Sequence, residues 1–591
     1  MSQSSEESAA ELRRFEAGRR AGDRMMRRLI HLGIALSAER DHDKLLEMIL
    51  LEAKDICNAD GGTLYLMTDD ERGLSFQIMR NDTLNVALGG TTGKAIPFPP
   101  LKLYDAETGK PNMNNVATAV AHTKRAVNIT DAYVAEDFDF SGTKKFDQTT
   151  GYRSMSFLTV PMLNTDNEVT GVLQLINARD SDGNTIPFSG ELQPIIESLT
   201  SQAAVALENQ KLIKAQRDLW DALIQMLASS IDDKSPYTGG HCQRVPEITK
   251  MLTKAACTAE YGIFRDFDLT DDEWYELHVA AWLHDCGKIT TPEYVVDKAS
   301  KLETIYDRIH EVRTRFEVLH RDVEIAYLKA KLAGEAEETA AARRDADWAL
   351  LQEQYGFVAK ANVGGEFMAD ADIDRLKEIG ARKWVRHFDK MLGLAPLAAM
   401  RAEADPPPPP PHEEALLADL PEHKFGGYDQ GELYNLAIRR GTLTNEERRT
   451  INDHIVVTIK MLETLPFPKK LRRVPEYAGG HHEKLDGTGY PRGLTRADMS
   501  IPARVMAIAD IFEALTAADR PYKKAKTLSE SLKIMKFMVK DQHIDPDLFD
   551  LFLRSGVWKT YAENFLLPAQ IDPVNIEDYL PDPALLTREV A

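Results

Sequence analysis

The sequence is poor in cysteine and contains no long apolar run. Its four cysteines, Cys57, Cys242, Cys257 and Cys286, are too few and too scattered in 591 residues for a disulfide framework. No run of about 18 uncharged apolar residues occurs, which argues against a membrane-spanning helix. The polar N-terminus also lacks the apolar segment of a signal peptide. We therefore expect a cytoplasmic protein with no membrane association.

Positive charge is also scarce. The chain has 72 Lys and Arg residues against 93 Asp and Glu residues, a formal net charge of −21. Such an acidic surface repels the phosphate backbone of long DNA or RNA, so we expect no nucleic-acid polymer as partner. With 43% hydrophobic residues the chain has ample material for cores, and its length predicts about two to four domains.

The N-terminal part of the chain predicts an α+β sandwich in which helices pack on one sheet. After a charged helical lead-in over 1–25, helical patterns flank segments rich in β-branched and aromatic residues and bounded by Asn, Asp and Gly. We expect strands over 62–68, 73–80, 156–163 and 169–177. Residues 165–168 read as the hairpin turn that joins the last two of these strands.

Three segments in this region, AVNITDAY (126–133), FDQTTGYRSMSFLTVPM (146–162) and GVLQLIN (171–177), resemble the GAF domain. The resemblance implies a small-molecule-sensing module over 26–191 with an unidentified small ligand. Some cyclic-nucleotide-binding GAF domains carry a motif that Asn177, Phe188 and Glu191 match in part, but Ala178 stands where that motif has lysine. Structural roles for Asn177 and Phe188 are the favoured interpretation.

A continuous helix is predicted over 192–231. Its seam residues recur at steps of four and three: Val205, Asn209, Leu212, Gln216, Leu219, Leu223 and Met226. This spacing is typical of a coiled coil, and a buried Asn in the seam favours a parallel two-stranded register. We therefore expect a homodimer through this linker helix. The alternative is an ordinary amphipathic helix that packs within one chain.

Residues 232–580 are predicted to be mostly helical. The segment 302–440, with strongly charged helical patterns, looks like an insertion between two parts of one catalytic unit, 232–301 and 441–560, and 561–591 forms a C-terminal tail. Six consecutive prolines, Pro406 to Pro411, form a spacer inside the insertion that no helix can cross.

Four helical segments of the predicted catalytic unit each present a histidine or an aspartate toward an apolar face. His241 lies at helical spacing from Val245, Ile248 and Leu252, and His284 lies likewise from Trp274, Leu277 and Ala281, with Asp285 beside it and Lys288 one turn further on. A third helix opens with a capping box formed by Thr444 and Glu447 and carries His454. Asp510 interrupts a helix that is otherwise nearly all apolar, and a buried carboxylate needs a partner, for which a metal ion is suitable.

The segment HHEKLDGTGYP (481–491) adds two consecutive histidines before a glycine-rich turn. One inward-facing histidine is more often a satisfied core residue than a ligand, but five of them with two embedded aspartates indicate a metal site. An imidazole-rich set favours Fe or Mn over Mg or Ca and leaves Zn open.

HDCGK (284–288) resembles the signature of the HD-family metal phosphohydrolases, and HHEKLDGTGYP resembles the hallmark of the HD-GYP subfamily. The resemblance implies an all-α domain that hydrolyses cyclic di-GMP to pGpG and often onward to GMP. It implies two divalent transition metal ions, Fe or Mn, with Asp285 bridging them. The implied ligands are His241, His284, Asp285, His454, His481, His482 and Asp510.

Further roles are implied by the same resemblance. Lys288 would act with Asp285 in catalysis by stabilising charge on the phosphoryl oxygens or by assisting the leaving group. The implied substrate-binding residues are Gly489, Tyr490, Pro491, Arg520 and Lys523. Structural readings remain for two of these residues, because Tyr490 could simply pack at the turn and Lys288 could simply pair with a carboxylate.

The sequence departs from the family pattern in two places. Tyr237 stands where some relatives carry a Glu that holds a third metal ion, so we expect a binuclear site. The insertion over 302–440 is absent from compact members of the family, which leaves access and regulation open. Two alternatives to a cyclic di-GMP phosphodiesterase remain: a cyclic-dinucleotide receptor or scaffold with weak catalysis, and a hydrolase for another nucleotide such as cyclic GMP-AMP or pGpG.

Overall fold

The structure, a computed structural model, describes residues 26–234, 240–365, 367–518 and 525–587. The predicted lead-in over 1–25 lies outside the described residues. The chain divides into two units, Met1–Trp220 and Asp221–Ala591. Helices make up most of the second unit, whereas the first is built on one large sheet.

The first unit is an eight-stranded antiparallel sheet with helices on both faces. Its helices are α1 (26–38), α2 (His42–Cys57), α3 (Val116–Thr123), α4 (Ser141–Thr150) and the start of α5 (Gln193–Asp232). Its strands are β1 (Ala59–Met67), β2 (Gly73–Asn81), β3 (Val86–Gly89), β4 (Leu101–Lys102), β5 (Val127–Ile129), β6 (Phe157–Leu163), β7 (Val169–Arg179) and β8 (Thr185–Ile186). The strand order is β3-β2-β1-β7-β6-β5, with β4 beside β2 and β8 beside β7.

Side chains of the central strands point alternately to the two faces of this sheet, and both faces are buried. On one face Leu173 of β7 packs with Ile49 of α2 and Leu199 of α5. On the other face Val172 packs with Val120 of α3. Because both faces are covered, β1 and β6 are buried along nearly their whole length, and the predicted strands were recognised from their β-branched and aromatic residues rather than from alternation. The predicted α+β sandwich is confirmed, and a tight turn joins β6 to β7 at residues 164–168 as expected.

Asn177 and Phe188 have structural roles in this unit. Asn177 adopts a positive φ of 54° inside β7, and its side-chain oxygen accepts the backbone N–H groups of Met155 and Ser156. Phe188 lies in the core that α2 and α5 form with the sheet. Both side chains are therefore accounted for by the fold itself.

The second unit is predominantly helical. After the end of α5 it contains α6 (His241–Thr258), α7 (Asp271–Leu283), α8 (Glu293–Val296), α9 (Ile309–Leu332), α10 (Glu337–Val363), α11 (Asp370–Gly380), α12 (Pro396–Ala404), α13 (Glu432–Leu436), α14 (Asn445–Asn452), α15 (His454–Thr464), α16 (Val474–Gly479), α17 (Ile501–Thr516), α18 (Leu528–Lys540), α19 (Pro546–Arg554) and α20 (Val557–Phe565). The predicted helical C-terminal region is thus confirmed. No helix in the described ranges is both long and apolar enough to cross a lipid bilayer.

Two details of this unit differ from the sequence-based expectations. The segment around His454 is two helices rather than one, because α14 ends at Asn452 and α15 begins at His454. The region after Lys301 contains two short antiparallel ribbons, formed by β9 (Lys383–Arg386) with β10 (His412–Ala415) and by β11 (Lys424–Phe425) with β12 (Tyr428–Asp429). Short ribbons of this length carry too little alternation to be read from sequence.

Candidate metal centre

The predicted histidines and aspartates lie at helix ends, or in one case within a helix, and they come together in one cluster. His241 is the first residue of α6, and the apolar stripe behind it, from Val245 to Leu252, is buried in the core as its spacing predicts. His284 directly follows the last residue of α7, and Asp285 comes next, immediately before a short 3-10 helix, Cys286–Thr290. His481 and His482 follow α16, and Asp510 lies within α17.

Asp285 lies at the centre of this cluster. Its Oδ2 atom is 3.1 Å from Nε2 of His241 and 3.3 Å from Nε2 of His284. Its Oδ1 atom is 3.1 Å from Nε2 of His454 and 4.0 Å from Nε2 of His481. Ligand atoms bound at about 2.0–2.2 Å to one metal ion lie roughly 3 Å or more apart, which matches these separations. The two oxygens of one carboxylate therefore face two different histidine pairs.

The remaining predicted ligands complete two groups. Asp510 Oδ1 lies 3.4 Å from Nε2 of His241, and His482 Nε2 lies 3.2 Å from Nε2 of His454. The first group comprises His241, His284, Asp285 and Asp510, and the second comprises His454, His481 and His482; within each, the ligand atoms lie within 4.8 Å of one another. The structure thus brings together all seven predicted ligands.

Hydrogen bonds at Nδ1 leave Nε2 of three histidines as a lone-pair donor. His284 Nδ1–H donates to the carbonyl of Ala281 at 2.8 Å, and His481 Nδ1–H donates to that of Ala478 at 2.6 Å. His454 makes the same contact with the Ile451 carbonyl. Each bond reaches back three residues and fixes the tautomer in which Nε2 carries no proton. The tautomers are therefore those of metal ligands.

Unsatisfied buried atoms test whether a metal ion fits here. The Nε2 atoms of His284 and His481 and the Oδ1 atom of Asp285 are buried without a hydrogen-bond partner among the residues that the structure describes. Buried polar atoms are normally satisfied, so three such atoms aimed at one place need an explanation. A bound cation provides one, and the donor set of imidazoles and carboxylates fits it.

Lys288 extends from the 3-10 helix to the same carboxylate. Its Nζ atom is 2.5 Å from Oδ2 of Asp285, and its side chain is about a quarter exposed. Burial alone would raise the pKa of Asp285, but the Lys288 ammonium opposes it, and that pKa lies well below its ordinary value. Lys288 is therefore a positive charge at the accessible edge of the cluster.

Gly287 allows the 3-10 helix to approach α15. A Cβ atom at Gly287 would lie 1.9 Å from the carbonyl oxygen of His454 and 2.6 Å from the backbone nitrogen of Thr458. The Gly287 N–H donates to the Thr458 hydroxyl at 2.9 Å. Only glycine permits this approach of backbone to backbone, which brings Asp285 to His454.

The neighbouring residue Cys286 is buried, and burial raises the pKa of its thiol to about 11, in keeping with a core thiol.

The turn after the histidine pair packs its tyrosine on a predicted ligand. The Tyr490 ring stacks on His482 with centroids 5.0 Å apart and planes at 16°. The buried Glu483 carboxylate accepts the N–H groups of Arg492 and Leu494 and so anchors the turn. A Cβ atom at Gly489 would lie 2.3 Å from the Lys484 nitrogen, so the tight turn requires glycine. Pro491 follows at the partly exposed end of this turn.

Three residues named from sequence cannot be placed. Arg520 and Lys523, the predicted phosphate contacts, and Tyr237, the departure from the third-metal position, lie outside the described residues.

Glu513 was missed from the sequence and touches the site directly. It is fully buried on α17, and its Oε2 atom is 2.5 Å from Nδ1 of His241, while Oε1 is 2.6 Å from the Arg244 guanidinium. Burial would raise the pKa of Glu513, but His241 and Arg244 lower it to about 2. A carboxylate on the far nitrogen of a histidine ligand orients the ring. The available signal was the i, i+3 spacing of Asp510 and Glu513 in an apolar helix.

Comparison with known families fits this architecture. A model described as "GAF domain" matches residues 41–207, and a model described as "HD domain" matches residues 415–548. The chain contains a GAF domain and an HD domain. The HD match includes His454, His481, His482 and Asp510, whereas His241, His284 and Asp285 precede it. The fold brings these three residues to the HD domain's own histidines.

Individual relatives are similar over short stretches. The chain is 49% identical over 83 residues to a 3'3'-cGAMP-specific phosphodiesterase 1 of Vibrio cholerae, covering 14% of this chain and 19% of the relative. It is 42% identical over 109 residues to 3'3'-cGAMP-specific phosphodiesterase 3 of the same organism, covering 18% and 23%. It is 41% identical over 83 residues to a cyclic di-GMP phosphodiesterase of Pseudomonas aeruginosa, covering 14% and 19%. The chain thus spans about a fifth of the length of these curated relatives.

Proposed function

We propose that this protein is a metal-dependent phosphodiesterase of the HD-GYP type that hydrolyses cyclic di-GMP to pGpG, and onward to GMP, under control of its GAF domain. The observation that carries the proposal is Asp285, whose two oxygens face separate groups of histidines with unsatisfied Nε2 atoms. The names of the relatives, phosphodiesterases for cyclic di-GMP and for 3'3'-cGAMP, point to the same reaction class.

Two divalent transition metal ions, Fe or Mn, suit this donor set. His241, His284 and Asp510 would hold one ion, His454, His481 and His482 would hold the other, and Asp285 would serve both. Imidazole-rich ligand sets favour these metals over Mg or Ca. When bound, such a pair supplies a low-pKa water as nucleophile and Lewis-acid stabilisation of phosphoryl oxygens.

The chain's own residues would bind and orient the substrate around this pair. Lys288 holds its proton at Nζ beside Asp285, where an ammonium stabilises charge on a phosphoryl oxygen or donates to the leaving oxygen. Glu513 fixes the His241 ring through Nδ1. Gly489, Tyr490 and Pro491 would shape the substrate pocket beside His482, and Arg520 and Lys523 would hold its phosphates.

The domain organisation is part of the proposal. We assign 1–25 to a lead-in, 26–191 to the GAF sensor, 192–231 to the linker helix, 232–301 and 441–560 to the two parts of the catalytic domain, 302–440 to an insertion and 561–591 to a tail. The separate apolar core that Val312, Leu351 and Leu416 share supports an insertion that folds around its own centre. The HD match, which begins at residue 415, overlaps the end of that insertion.

We also propose that the protein is a homodimer and that an unidentified small ligand binds the GAF domain. Leu212, Leu219 and Met226 of the predicted seam are each more than half exposed in the single chain. Exposed leucines at heptad spacing on a long helix favour a second copy as their partner.

Turnover by purified protein tests the activity. Protein loaded anaerobically with Fe²⁺ or Mn²⁺ is expected to convert cyclic di-GMP to pGpG and GMP, followed by chromatography, while Asp285→Ala is expected to be inactive. Cyclic di-GMP left intact by the loaded wild type, with Asp285→Ala indistinguishable from it, would refute the proposal. Slow or absent turnover with tight binding would instead favour a receptor.

A second substrate belongs in the same assay because three of the similar relatives are named as specific for 3'3'-cGAMP. The competing proposal is a phosphodiesterase for that mixed dinucleotide. The kcat/KM values for cyclic di-GMP, 3'3'-cGAMP and pGpG, measured side by side, decide between the two.

A further inference from the structure

The end of helix α5 and the residues after it contact two of the three segments that carry the first metal group. Asp232, the buried last residue of α5, accepts the backbone N–H groups of Gly240 and Cys242 with one carboxylate oxygen, at 3.2 and 3.1 Å. Helix α6 begins with His241, and Gly240 before it offers no capping side chain. Asp232 therefore supplies the cap, and its negative charge complements the helix dipole beside His241.

Lys234 makes the corresponding contact with the other segment. Its Nζ atom donates to the backbone carbonyls of Ile289 and Thr291, each at 2.6 Å, and to that of Lys288 at 3.3 Å. These carbonyls belong to the end of the 3-10 helix that follows Asp285 and carries Lys288. An ammonium at the carboxyl end of a helix satisfies carbonyls that lack intrahelical partners.

Apolar packing fixes the end of α5 in place. Ile224 and Ile231 are buried in the same core as Leu277 and Leu283 of α7 and as Cys286, which follows Asp285. By contrast, every residue from Lys211 to Trp220 of α5 is exposed in the single chain. Within the second unit, the helix is thus anchored in its last turns, next to the cluster.

We propose that Asp232 and Lys234 form a clamp on the two segments that carry His241 and Asp285 of the first metal group, so that the end of α5 sets the separation of these two residues. The two side chains are two residues apart and hold two segments that are distant in sequence. A displacement of α5 would pull on both segments together and change the affinity for the metal ion. This inference rests on the proposed metal-dependent function and names the route by which a linker helix regulates it.

Manganese binding to the full chain, measured by calorimetry, tests the clamp without depending on turnover. Asp232→Ala removes the cap and Lys234→Met removes the donor at similar side-chain length. Asp232→Asn keeps an acceptor oxygen and Lys234→Arg keeps the donors, so these variants serve as rescues. Asp233→Ala and Lys250→Met are matched controls, because both positions are exposed in the same unit. Thermal melting of each variant verifies folding.

The clamp predicts that Asp232→Ala and Lys234→Met each weaken Mn²⁺ binding at one site by about 10–100-fold, the range for partners that orient ligands. The rescues are expected to lie within about threefold of wild type and the controls within about twofold. With cyclic di-GMP as substrate, kcat at limiting Mn²⁺ falls while KM for the dinucleotide stays unchanged.

Unchanged Mn²⁺ affinity in both removal variants, with normal melting, would overturn the clamp. So would rescue variants as weak as the removal variants, since the hydrogen bonds would then not matter. If Mn²⁺ affinity changes as expected but the wild type cleaves no cyclic dinucleotide, the clamp stands and the phosphodiesterase proposal fails. The two proposals are therefore separable in one set of proteins.

Discussion

Glu513→Gln isolates the orienting carboxylate without changing the size of the side chain. Glu513 is fully buried and holds Nδ1 of His241 at 2.5 Å and Arg244 at 2.6 Å. The amide keeps one acceptor but loses the charge that steadies the His241 ring and balances Arg244. Loss of such a partner weakens metal affinity by about 10–100-fold, which corresponds to about 1.4–2.7 kcal/mol.

Only one of the two groups is expected to respond. Glu513 contacts His241 of the first group, whereas His454 and His481 take their orientation from backbone carbonyls. A Mn²⁺ titration of Glu513→Gln should therefore show one weakened site and one unchanged site, and the bound metal after desalting should fall from two ions toward one. The control is Glu463→Gln on α15, where the carboxylate is more than half exposed.

Two unchanged Mn²⁺ affinities in Glu513→Gln would refute this reasoning, because the carboxylate would then have no effect on its histidine. An equal loss at both sites would also contradict it, since the two groups would not be separately oriented. Melting temperatures of the variant and of Glu463→Gln establish whether the effect is local.

Further predictions concern three other positions. Gly287→Ala should destabilise the protein by about 1–3 kcal/mol in denaturant unfolding and abolish Mn²⁺ binding, because its Cβ would overlap the His454 carbonyl. The control Gly356→Ala, whose Cβ meets open space in α10, should raise stability by about 0.5–1 kcal/mol and leave Mn²⁺ binding unchanged. Lys288→Met should lower kcat about 10²–10³-fold while the protein still binds two Mn²⁺ ions, and a kcat within twofold of wild type would contradict the role of its charge. Arg80 pairs with Glu47 in the GAF unit. Burial would raise the pKa of Glu47, but hydrogen bonds from Thr91 and Arg80 hold this pKa below its usual value. The pair therefore stabilises the fold above the ordinary Glu pKa, and this stabilisation is lost as the pH falls through the lowered pKa of Glu47. Glu47→Gln should accordingly lose less unfolding free energy than wild type between about pH 5 and pH 3, and identical pH dependence in urea titrations would contradict the pair.

The sequence by itself determined much of the architecture and the chemistry of the site. Runs rich in β-branched and aromatic residues and bounded by Asn, Asp and Gly identified β1, β2, β6 and β7, because such side chains favour strands and such turn residues end them. His241 and His284 could be predicted to face inward, because each lies at helical spacing from apolar residues and the 3.6-residue period places them on the same helix face. Asp510 could also be recognised, because a carboxylate within an otherwise nearly apolar helix is unusual.

Only the tertiary structure decided which groups meet. The contact of Glu513 with His241 joins α17 to α6 across 272 residues of sequence, and no local pattern reports such a pairing. The closeness of Asp285 to His454 depends on Gly287 packing against the α15 backbone, a matter of a missing Cβ atom rather than of any period. The contacts of Asp232 and Lys234 are likewise to backbone N–H and carbonyl groups, which almost all residue types carry, so the sequence does not identify these partners. Periodicity in the sequence indicates which side chains point into the core, and tertiary packing determines which groups those side chains contact.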